Sequence, residues 1–301
     1  MDSMRIVNVY GGLGNQMFNY AFAISLKERF PDEEVLIDVS HFNYIFIKRW
    51  KTANLHGGYE LGAAFPQMSL KKASPLQLMR VTRYVPNFFL SRLVRRWLPK
   101  RRGEYVDKVS QYFVYHEDVY ESQFQYYEGL WGSIRYYKPI KEKLLAEFAH
   151  KYPTGKNAEY IVRMEKEESV GLHVRRGDYL LSNTLSGICD VSYYKRAVRE
   201  ILGDNKEHVF YIFSDDLVWC EQCIVPLLNG AQYEMVRENS GKMAHWDMFL
   251  MTHCKDLIIA NSSFSWWSAF LNTRNGRIVT PKRWFNRNAT FEIWDDNWIK
   301  V

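Results

Sequence analysis

The sequence predicts an α/β protein with mainly parallel sheets and helices on both of their faces. Short runs rich in β-branched and aromatic residues recur along the 301-residue chain, and segments with helical spacing separate several of them. This alternation is typical of βαβ units, in which a crossover helix joins two parallel strands. The length suits two domains of about 150 residues each.

The strand-like runs lie at the N-terminus and in the second half of the chain. They are Arg5–Tyr10, Glu34–Val39, Ser169–Val174, His208–Ser214, Tyr233–Arg237, Asp256–Asn261 and Gly276–Pro281. The segments with helical spacing are Gln16–Phe30, Val191–Leu202, His245–Cys254 and Phe264–Thr273. Between residues 40 and 168 the pattern is irregular and more helical, and prolines interrupt it. The best candidate hinge is Tyr152–Asn157, so we expect domains at residues 1–157 and 158–301.

The composition, 47% hydrophobic and 25% charged, is that of a soluble globular chain. No stretch approaches the ~18 consecutive apolar residues of a membrane span, and no signal-peptide region precedes the first strand. Four cysteines in a chain of this length are too few for a disulfide framework. These features predict a cytoplasmic protein.

The positive charge is concentrated in one segment. Residues 71–102 contain ten Lys/Arg and no Asp/Glu, so the net charge of +6 becomes −4 for the remainder of the chain. The favoured interpretation is a basic helical insertion of the N-terminal domain that packs its apolar side and exposes its cations. The alternative is peripheral contact with an anionic membrane surface.

A glycine-rich turn follows the first strand. Its sequence GGLGNQ covers residues 11–16 and leads into a helix, so its amides could approach an anion at the helix N-terminus. Asp38 ends the next strand, where a dinucleotide fold places its ribose-binding acid. The glycine spacing fails, however, because the third position is Met17. The alternative is a tight turn that needs a positive φ, with Asn15 capping the helix.

Two arginines follow the apolar strand Ser169–Val174. Ligands bind at the carboxyl ends of strands in open α/β sheets, and adjacent guanidinium groups suit paired phosphate oxygens. Asp178 can hold one guanidinium in place, and Gly177 frees the turn. The alternative is a surface ion pair, but the apolar run before Arg175 and Arg176 favours a ligand role.

A loop rich in serine, NSSFS at residues 261–265, follows another buried strand. Its hydroxyls and amides could bind a phosphate or ribose, or could simply cap the next helix. Asp247 lies near the start of the preceding helix. A carboxylate suits guanine because it accepts from both the ring N–H and the exocyclic amine. Asp247 could equally complement the helix dipole.

Other groups could have indicated a metal site. Asp215 and Asp216 follow a strand, but no matching His or carboxylate spacing completes a set of ligands. Cys220 and Cys223 lack a second pair and are interpreted as ordinary helix thiols rather than zinc ligands. No metal ligand is predicted.

Together these segments resemble the α-1,2-fucosyltransferases of glycosyltransferase family 11. The motifs that carry the resemblance are GGLGNQMF at 11–18, HVRRGDY at 173–179, FSDD at 213–216, NSSFSWW at 261–267 and Pro281-x-x-Trp284. They occur in the family's order. The resemblance implies a GT-B fold of two Rossmann-like domains with the donor site in the cleft. Residues 1–157 would form the acceptor-side domain and residues 158–301 the GDP-fucose-binding domain. It also implies GDP-L-fucose as donor, inversion at the fucose carbon, transfer to the 2-hydroxyl of a terminal β-galactoside, and independence from divalent metal.

The resemblance also implies roles for single residues. Arg175 corresponds to the arginine that holds the donor β-phosphate, and His173 and Asp247 correspond to the pair that reads guanine. Ser262 and Ser263 correspond to phosphate-side serines. The full predicted donor-binding set is Asn15, Gln16, His173, Arg175, Arg176, Asp215, Asp247, Asn261, Ser262, Ser263, Phe264 and Ser265.

Arg175 and Asp178 are the predicted catalytic residues. Arg175 neutralises the charge that grows on the departing GDP. The base stays open, because the position at which related α-1,6 enzymes carry a glutamate is Asn183 here; Asp178 or an acid of the N-terminal domain could serve. The acceptor is expected to be a galactose-terminated oligosaccharide or a lipid-linked glycan.

Other classes of protein explain less of the sequence. An NAD(P)-dependent oxidoreductase would use the turn at Gly12 and Gly14 with Asp38, but would leave the arginine and serine motifs without a role. A non-catalytic glycan-binding protein would account for the aromatic residues alone. A nucleic-acid-binding protein could use residues 71–102, yet the rest of the chain is acidic and contains no recognised module.

Overall fold

The computed structural model describes residues 4–42, 58–81, 93, 97, 103–203, 207–287 and 289–301. The chain forms two compact units. Unit one comprises residues 1–149 with residues 290–293, and unit two comprises residues 150–289 with residues 294–301. The chain passes from unit one to unit two after residue 149. The sequence predicted this boundary after residue 157.

Unit one contains a five-stranded sheet in the order β3-β2-β1-β5-β4, with parallel pairing throughout. Its strands are β1 (Met4–Asn8), β2 (Glu34–Asp38), β3 (Lys71–Lys72), β4 (Glu104–Val106) and β5 (Tyr126–Glu128). The strand order reverses between β1 and β5, because β2 lies on one side of β1 and β5 on the other. Side chains at such a reversal are free to line a ligand site.

Helices cover both faces of this sheet. They are α1 (Leu13–Arg29), α2 (Leu61–Ala64), α3 (Pro75–Val81) and α4 (Lys141–Glu147). Residues of α3 join Ile6, Leu36 and Tyr126 in a buried cluster. On α1, Phe22 stacks on Trp131 with ring centroids 4.0 Å apart.

The glycine turn leads directly into α1. Gly11 has a φ of 80°, and a Cβ there would lie 3.0 Å from the Asn15 Cβ, so the turn requires glycine. The N-cap is Gly12, and no side chain caps the helix. The suggestion that Asn15 caps α1 is therefore wrong, because the helix begins two residues before it.

Unit two contains a six-stranded sheet in the order β11-β10-β9-β6-β7-β8, again with parallel pairing throughout. Its strands are β6 (Ser169–Val174), β7 (Val209–Ser214), β8 (Gln232–Met235), β9 (Asp256–Ile258), β10 (Ile278–Thr280) and β11 (Ile299–Lys300). The order reverses between β6 and β9. The loops that follow these two strands therefore meet at the carboxyl edge of the sheet.

The helices of unit two are α5 (Lys156–Lys166), α6 (Val191–Leu202), α7 (Leu217–Cys223), α8 (His245–His253) and α9 (Ser263–Leu271). Leu172, Ile212 and Val198 belong to one buried core between the sheet and α6. The apolar spacing of α6 is why its bounds match the prediction, since one face of the helix is buried and the other is solvated.

Each strand and helix named from the sequence is present, with shifts of up to three residues at its ends. The prediction missed β3, β4, β5 and β11. These strands are two or three residues long, and Lys, Glu and Tyr are prominent in them, so sheet pairing rather than an apolar run makes them strands.

Only part of the basic segment is described: β3, α3 and the isolated residues 93 and 97. The remainder of residues 71–102 lies outside the described residues. Within the described part of the chain, no helix is long and apolar enough to cross a membrane.

Candidate functional site

The most polar part of unit two's carboxyl edge is the turn after β6. Arg175 Nη2 lies 2.7 Å from Asp178 Oδ1, and Arg175 Nη1 lies 3.0 Å from Asp215 Oδ2. Its guanidinium also lies over the Tyr179 ring, 5.6 Å from the centroid. The side chain is still 36% exposed. The guanidinium is thus fixed on two sides and remains accessible to a ligand.

Arg176 is held by the turn after β7. Its Nε donates to Asp216 Oδ2 at 3.0 Å, and its backbone N–H donates to Asp215 Oδ1 at 2.9 Å. The guanidinium lies 4.1 Å from the centroid of the Trp219 ring. Asp216 also caps α7 through the Trp219 amide; this hydrogen bond, together with Arg176, lowers the pKa of its carboxyl.

Asp215 links the two arginines, because one of its oxygens contacts Arg175 and the other the amide of Arg176. A Cβ on Gly177 would lie 2.8 Å from Asp215 Oδ2, so glycine is what lets the two turns approach. The cluster holds two guanidinium groups against three carboxylates. It is a preorganised set of ion pairs in which an incoming anion has to share or replace a carboxylate.

His173 lies near the carboxyl end of β6, two residues before Arg175. Its ring is buried 5.6 Å from the Phe264 ring, and its carbonyl accepts from the Tyr194 hydroxyl at 3.0 Å. Burial, followed by the charge of Arg175, lowers the pKa of His173 to about 3. The imidazole is therefore neutral near pH 7, and its buried Nδ1 has no hydrogen-bond partner among the described residues. A neutral ring of this kind can present one donor and one acceptor.

The loop after β9 begins with Asn261, which holds neighbouring segments together. Its Nδ2 donates to the carbonyls of Leu185 and Trp284 at 3.3 and 3.2 Å, and its Oδ1 accepts from the Cys189 thiol at 3.3 Å. The Tyr179 hydroxyl donates to the Asn261 carbonyl at 3.3 Å. The Asn261 side chain thus holds the loop against the neighbouring segments through hydrogen bonds.

The serines of this loop begin α9. Ser262 is the N-cap and accepts from the Phe264 amide at 3.3 Å, and the buried Ser265 donates to the Ala260 carbonyl at 3.4 Å. Ser263 and Phe264 are half-buried in the first turn. The capping alternative therefore describes Ser262, while the remaining amides of the first turn still point toward the carboxyl edge that carries Arg175.

Asp247 lies in the first turn of α8. Its Oδ1 accepts from Asn239 Nδ2 at 2.8 Å, and Asn239 exchanges two amide hydrogen bonds with Asn157. Burial raises the pKa of Asp247 to about 7, Asn239 lowers it and Glu238 raises it. Among the described residues, no hydrogen bond joins Asp247 to His173.

The predicted residues of unit one have different surroundings. Gln16 is buried and fastens the glycine turn: its Nε2 donates to the carbonyls of Gly11 and Gly58, and its Oε1 accepts from the Glu60 amide. Asn15 is half-buried beside Gly11.

Three residues that support the site were not predicted. Trp219 lies against Arg176, Tyr194 holds the His173 carbonyl, and Tyr179 lies against Arg175. Tyr179 is the last residue of the motif HVRRGDY, and that position was the available signal. The other two come from helices distant in sequence, so no local pattern marks them. Among the described residues, no group of three or more His, Cys, Asp or Glu side chains could hold a metal ion.

Comparison with known proteins shows the family of this chain. The model of glycosyl transferase family 11 matches residues 4–301. The chain belongs to glycosyltransferase family 11. It is fucosyltransferase-like and an enzyme of α-1,2 glycosyl transfer.

Relatives of this family 11 enzyme come from bacteria and animals. The O-antigen biosynthesis glycosyltransferase WbnK of Escherichia coli is 29% identical over 97% of this chain and 98% of its own. The α-1,2-colitosyltransferase of Escherichia coli is 28% identical over 99% of both chains. The galactoside 2-α-L-fucosyltransferase SEC1 of Bos taurus is 28% identical over 45% of this chain and 39% of its own.

A solved structure shares the fold. Fucosyltransferase NodZ from Bradyrhizobium superposes with a TM-score of 0.52 at 14% identity, over 90% of this chain and 92% of that one. The two parallel sheets and this likeness establish the α/β, GT-B type architecture that the sequence predicted.

Proposed function

We propose that the enzyme transfers L-fucose from GDP-L-fucose to the 2-hydroxyl of a terminal β-galactoside in a glycan, with inversion at the fucose carbon. The observation that carries the proposal is the Arg175 guanidinium, fixed by Asp178 and Asp215 at the strand-order reversal of unit two. When the sugar–phosphate bond breaks, negative charge grows on the departing diphosphate. A preorganised guanidinium stabilises that charge without having to reorient.

The guanine end of the donor is assigned to His173 and Asp247. The neutral imidazole of His173 can hydrogen bond to the base edge, and its buried Nδ1 has no described protein partner. The Asp247 carboxylate can accept from the two adjacent donors of guanine. Asn15 and the first-turn amides at Ser263 and Phe264 are proposed to contact the diphosphate. Arg176 and Asp215 are proposed to position Arg175.

The donor sugar is the open part of this proposal, because one relative is named for colitose and another for fucose. Colitose is L-fucose without its 3-hydroxyl. The two sugars therefore differ by one hydrogen-bonding group, and a site built to bind that hydroxyl rejects the deoxy sugar strongly. The family motifs of this chain favour fucose.

A test uses transfer assays on purified enzyme with GDP-L-fucose and GDP-colitose. The acceptors are lactose, N-acetyllactosamine and galactosyl-β-1,3-N-acetylgalactosamine. We expect turnover with GDP-L-fucose and a product whose new α-1,2 linkage is identified by NMR. Turnover with GDP-colitose alone would refute the choice of donor while leaving glycosyl transfer intact.

The rival oxidoreductase requires a free carboxylate at Asp38. Asp38 is fully buried, and its oxygens accept from Asn8 Nδ2 at 3.1 Å, the Tyr126 hydroxyl at 2.7 Å and the Ser40 amide at 2.8 Å. A ribose would have to displace these bonds. Thermal shift with NAD and with GDP separates the two functions, because only a bound ligand stabilises the fold.

We further propose that transfer needs no divalent metal, because Arg175 and Arg176 supply the positive charge at the diphosphate. Full activity in EDTA is the expected result, and activity that returns only with added Mg²⁺ or Mn²⁺ would refute it.

A cytoplasmic location and peripheral membrane contact through residues 71–102 stay predictions. Cosedimentation with anionic vesicles at low and high salt tests the membrane contact.

A further inference from the structure

Unit one contains a second polar cluster at the carboxyl edge of its sheet. The strand order reverses between β1 and β5. Tyr10 follows β1, Asp107 follows β4, and the tight loop from Gly129 to Gly132 follows β5. Parallel strands end at the same edge, so these groups lie together at a position where open α/β sheets bind ligands.

Asp107 is an unusual carboxyl group in this cluster. It is only 7% exposed, and among the described residues it has no ion pair and no side-chain hydrogen-bond partner. The Lys108 backbone amide is its hydrogen-bond donor, and the Lys108 side chain is exposed. Burial is the main reason that the pKa of Asp107 is raised to about 7; the Lys108 amide lowers the pKa and the nearby charge of Asp118 adds to the rise. A buried carboxyl without a cation is costly, and such groups concentrate at functional sites.

Trp131 supplies an independent observation. It is 1% exposed, and its indole Nε1 has no hydrogen-bond partner among the described residues. A Cβ on Gly129 would lie 2.7 Å from the Asp107 Cβ and 3.0 Å from Trp131 Cε2, the carbon bonded to Nε1. Trp131 Cζ2 would lie 2.8 Å from the same point, so the indole and Asp107 flank one position beside Gly129. Trp131 has a φ of 59°, a conformation that bulky non-glycine residues adopt rarely and that costs about 1–3 kcal/mol.

The surroundings suit a neutral, hydroxyl-rich ligand. Asn19 donates to the Gly129 carbonyl at 3.2 Å, and its fully buried Oδ1 has no partner among the described residues. An ionised carboxylate only accepts hydrogen bonds, and an indole N–H only donates them. A sugar hydroxyl can donate to the carboxylate and accept from the indole N–H at the same time. The other titratable groups that interact with Asp107 are Tyr10, Tyr105, Asp118 and Tyr136, and Glu128 interacts with Tyr10 beside it.

We infer that Asp107 and Trp131 form the site for the reacting hydroxyl of the glycan acceptor, with Asp107 as the base. This inference rests on the proposed function. The acceptor oxygen forms the bond to the donor sugar's anomeric carbon, and the sugar–phosphate bond breaks with its electron pair leaving on GDP. The hydroxyl proton passes to the Asp107 carboxylate, and the Trp131 N–H holds the oxygen in place.

The main test is Asp107→Asn, which keeps the size of the side chain and removes the base. We expect kcat for transfer to fall by about 10²-fold or more, while the thermal shift given by GDP stays as in the wild type. Trp131→Phe keeps one aromatic ring and removes the pyrrole part of the indole together with its N–H. We expect it to raise the acceptor KM and to leave GDP binding unchanged.

Stability gives a readout independent of activity. The raised pKa means that the folded protein disfavours ionised Asp107, so its stability falls as pH rises from about 4 through 7. Asp107→Asn removes this decrease in stability, because an amide does not ionise. We expect its Tm to exceed that of the wild type at pH 8, with a smaller difference at pH 5.

Asp118→Asn is the matched control. Asp118 is exposed, accepts from the Tyr105 hydroxyl at 3.2 Å and contributes its charge to the raised pKa of Asp107. We expect transfer at pH 8 to be unchanged and the acid limb of the kcat profile to move to lower pH.

The outcomes separate the two hypotheses. The role of Asp107 is overturned if kcat of Asp107→Asn stays within about threefold of the wild-type value. It is also overturned if Asp118→Asn does not move the acid limb of the kcat profile. A wild-type protein that transfers no sugar from a GDP donor overturns the proposed function, and this inference with it.

Discussion

Arg175 is the side chain on which the proposed chemistry depends. Two of its nitrogens already have carboxylate partners, so the diphosphate must share a guanidinium whose direction is fixed. An ammonium is a point charge on a flexible stem and cannot contact both Asp178 and Asp215 while facing a ligand. The planar fork is therefore a requirement of the site.

Arg175→Lys should consequently be nearly inactive. We expect kcat to fall by about 10²–10³-fold, the cost of removing one preorganised donor. Asp178→Asn is the comparison, because Asp215 would still hold Arg175 and the expected loss is only about tenfold. Steady-state kinetics with GDP-L-fucose measure both, and wild-type turnover by Arg175→Lys would refute the assigned role.

Asp247 predicts how donor affinity depends on pH. Burial raises its pKa to about 7, and only the ionised form accepts from both guanine donors with its two oxygens. Affinity for GDP-L-fucose should therefore weaken below pH 7, by about tenfold at pH 6. The pKa of His173 is far lower, so His173 does not contribute in this range.

Calorimetry from pH 6 to 8 without acceptor tests the prediction, since the diester phosphates of the donor do not titrate there. Asp247→Asn should bind weakly at every pH. A constant wild-type Kd over this range would contradict the role of Asp247.

Among the structural elements, the turns after β6 and β7 carry the two arginines of the site and the aspartates that hold them. Asp215 reaches Arg175 and the Arg176 amide only because Gly177 has no side chain. The distance between β6 and β7 is set by sheet pairing, so an added atom must displace a side chain. An atom added at Gly177 would meet the side chain of Asp215, which orients both arginines.

Gly177→Ala should lower transfer by about tenfold, because the new methyl group pushes the Asp215 carboxylate away from Arg175. The turn is exposed, so we expect the free energy of unfolding to change by less than about 1 kcal/mol. Gly203→Ala is the control with the opposite pattern. Gly203 ends α6 with a φ of 46°, so its substitution should reduce stability and leave transfer unchanged.

At the scale of the whole molecule, the chain returns to unit one near its end. Residues 290–293 belong to unit one although the residues on both sides belong to unit two. The Ile134 amide donates to the Glu292 carbonyl at 2.7 Å. The Glu292 carboxylate accepts from the Tyr115 amide, from Ser133 Oγ at 3.1 Å and from Arg135 Nη1 at 3.4 Å. Both units are therefore discontinuous in sequence.

Glu292→Ala should destabilise the protein by about 1–3 kcal/mol, because it leaves the Ser133 hydroxyl and the Tyr115 amide without their acceptor. Urea unfolding measures the change. Glu159→Ala is the control, because Glu159 forms an exposed ion pair with Lys156 and its loss should cost less than about 0.5 kcal/mol. Equal stabilities of the two variants would contradict the role given to Glu292.

The repeated apolar runs and the family motifs determined much of this protein from sequence alone. The strand Ser169–Val174 and the helix Val191–Leu202 match their predictions, because local apolar spacing fixes which side of each element is buried. The arginines were found because they directly follow a strand whose end is a ligand position in any open α/β sheet.

The tertiary structure decided what depends on contacts between distant segments. Folding brings Asp215 into contact with both Arg175 and the Arg176 amide, and it places the Trp219 ring against Arg176. Folding also pairs β5 with β1 and β4 with β5. Burial is then the largest cause of the pKa shifts of Asp107 and His173, and burial depends on the whole fold rather than on the residues adjacent in sequence. Sequence patterns report local spacing, whereas desolvation and ion pairing arise from atoms that folding brings together.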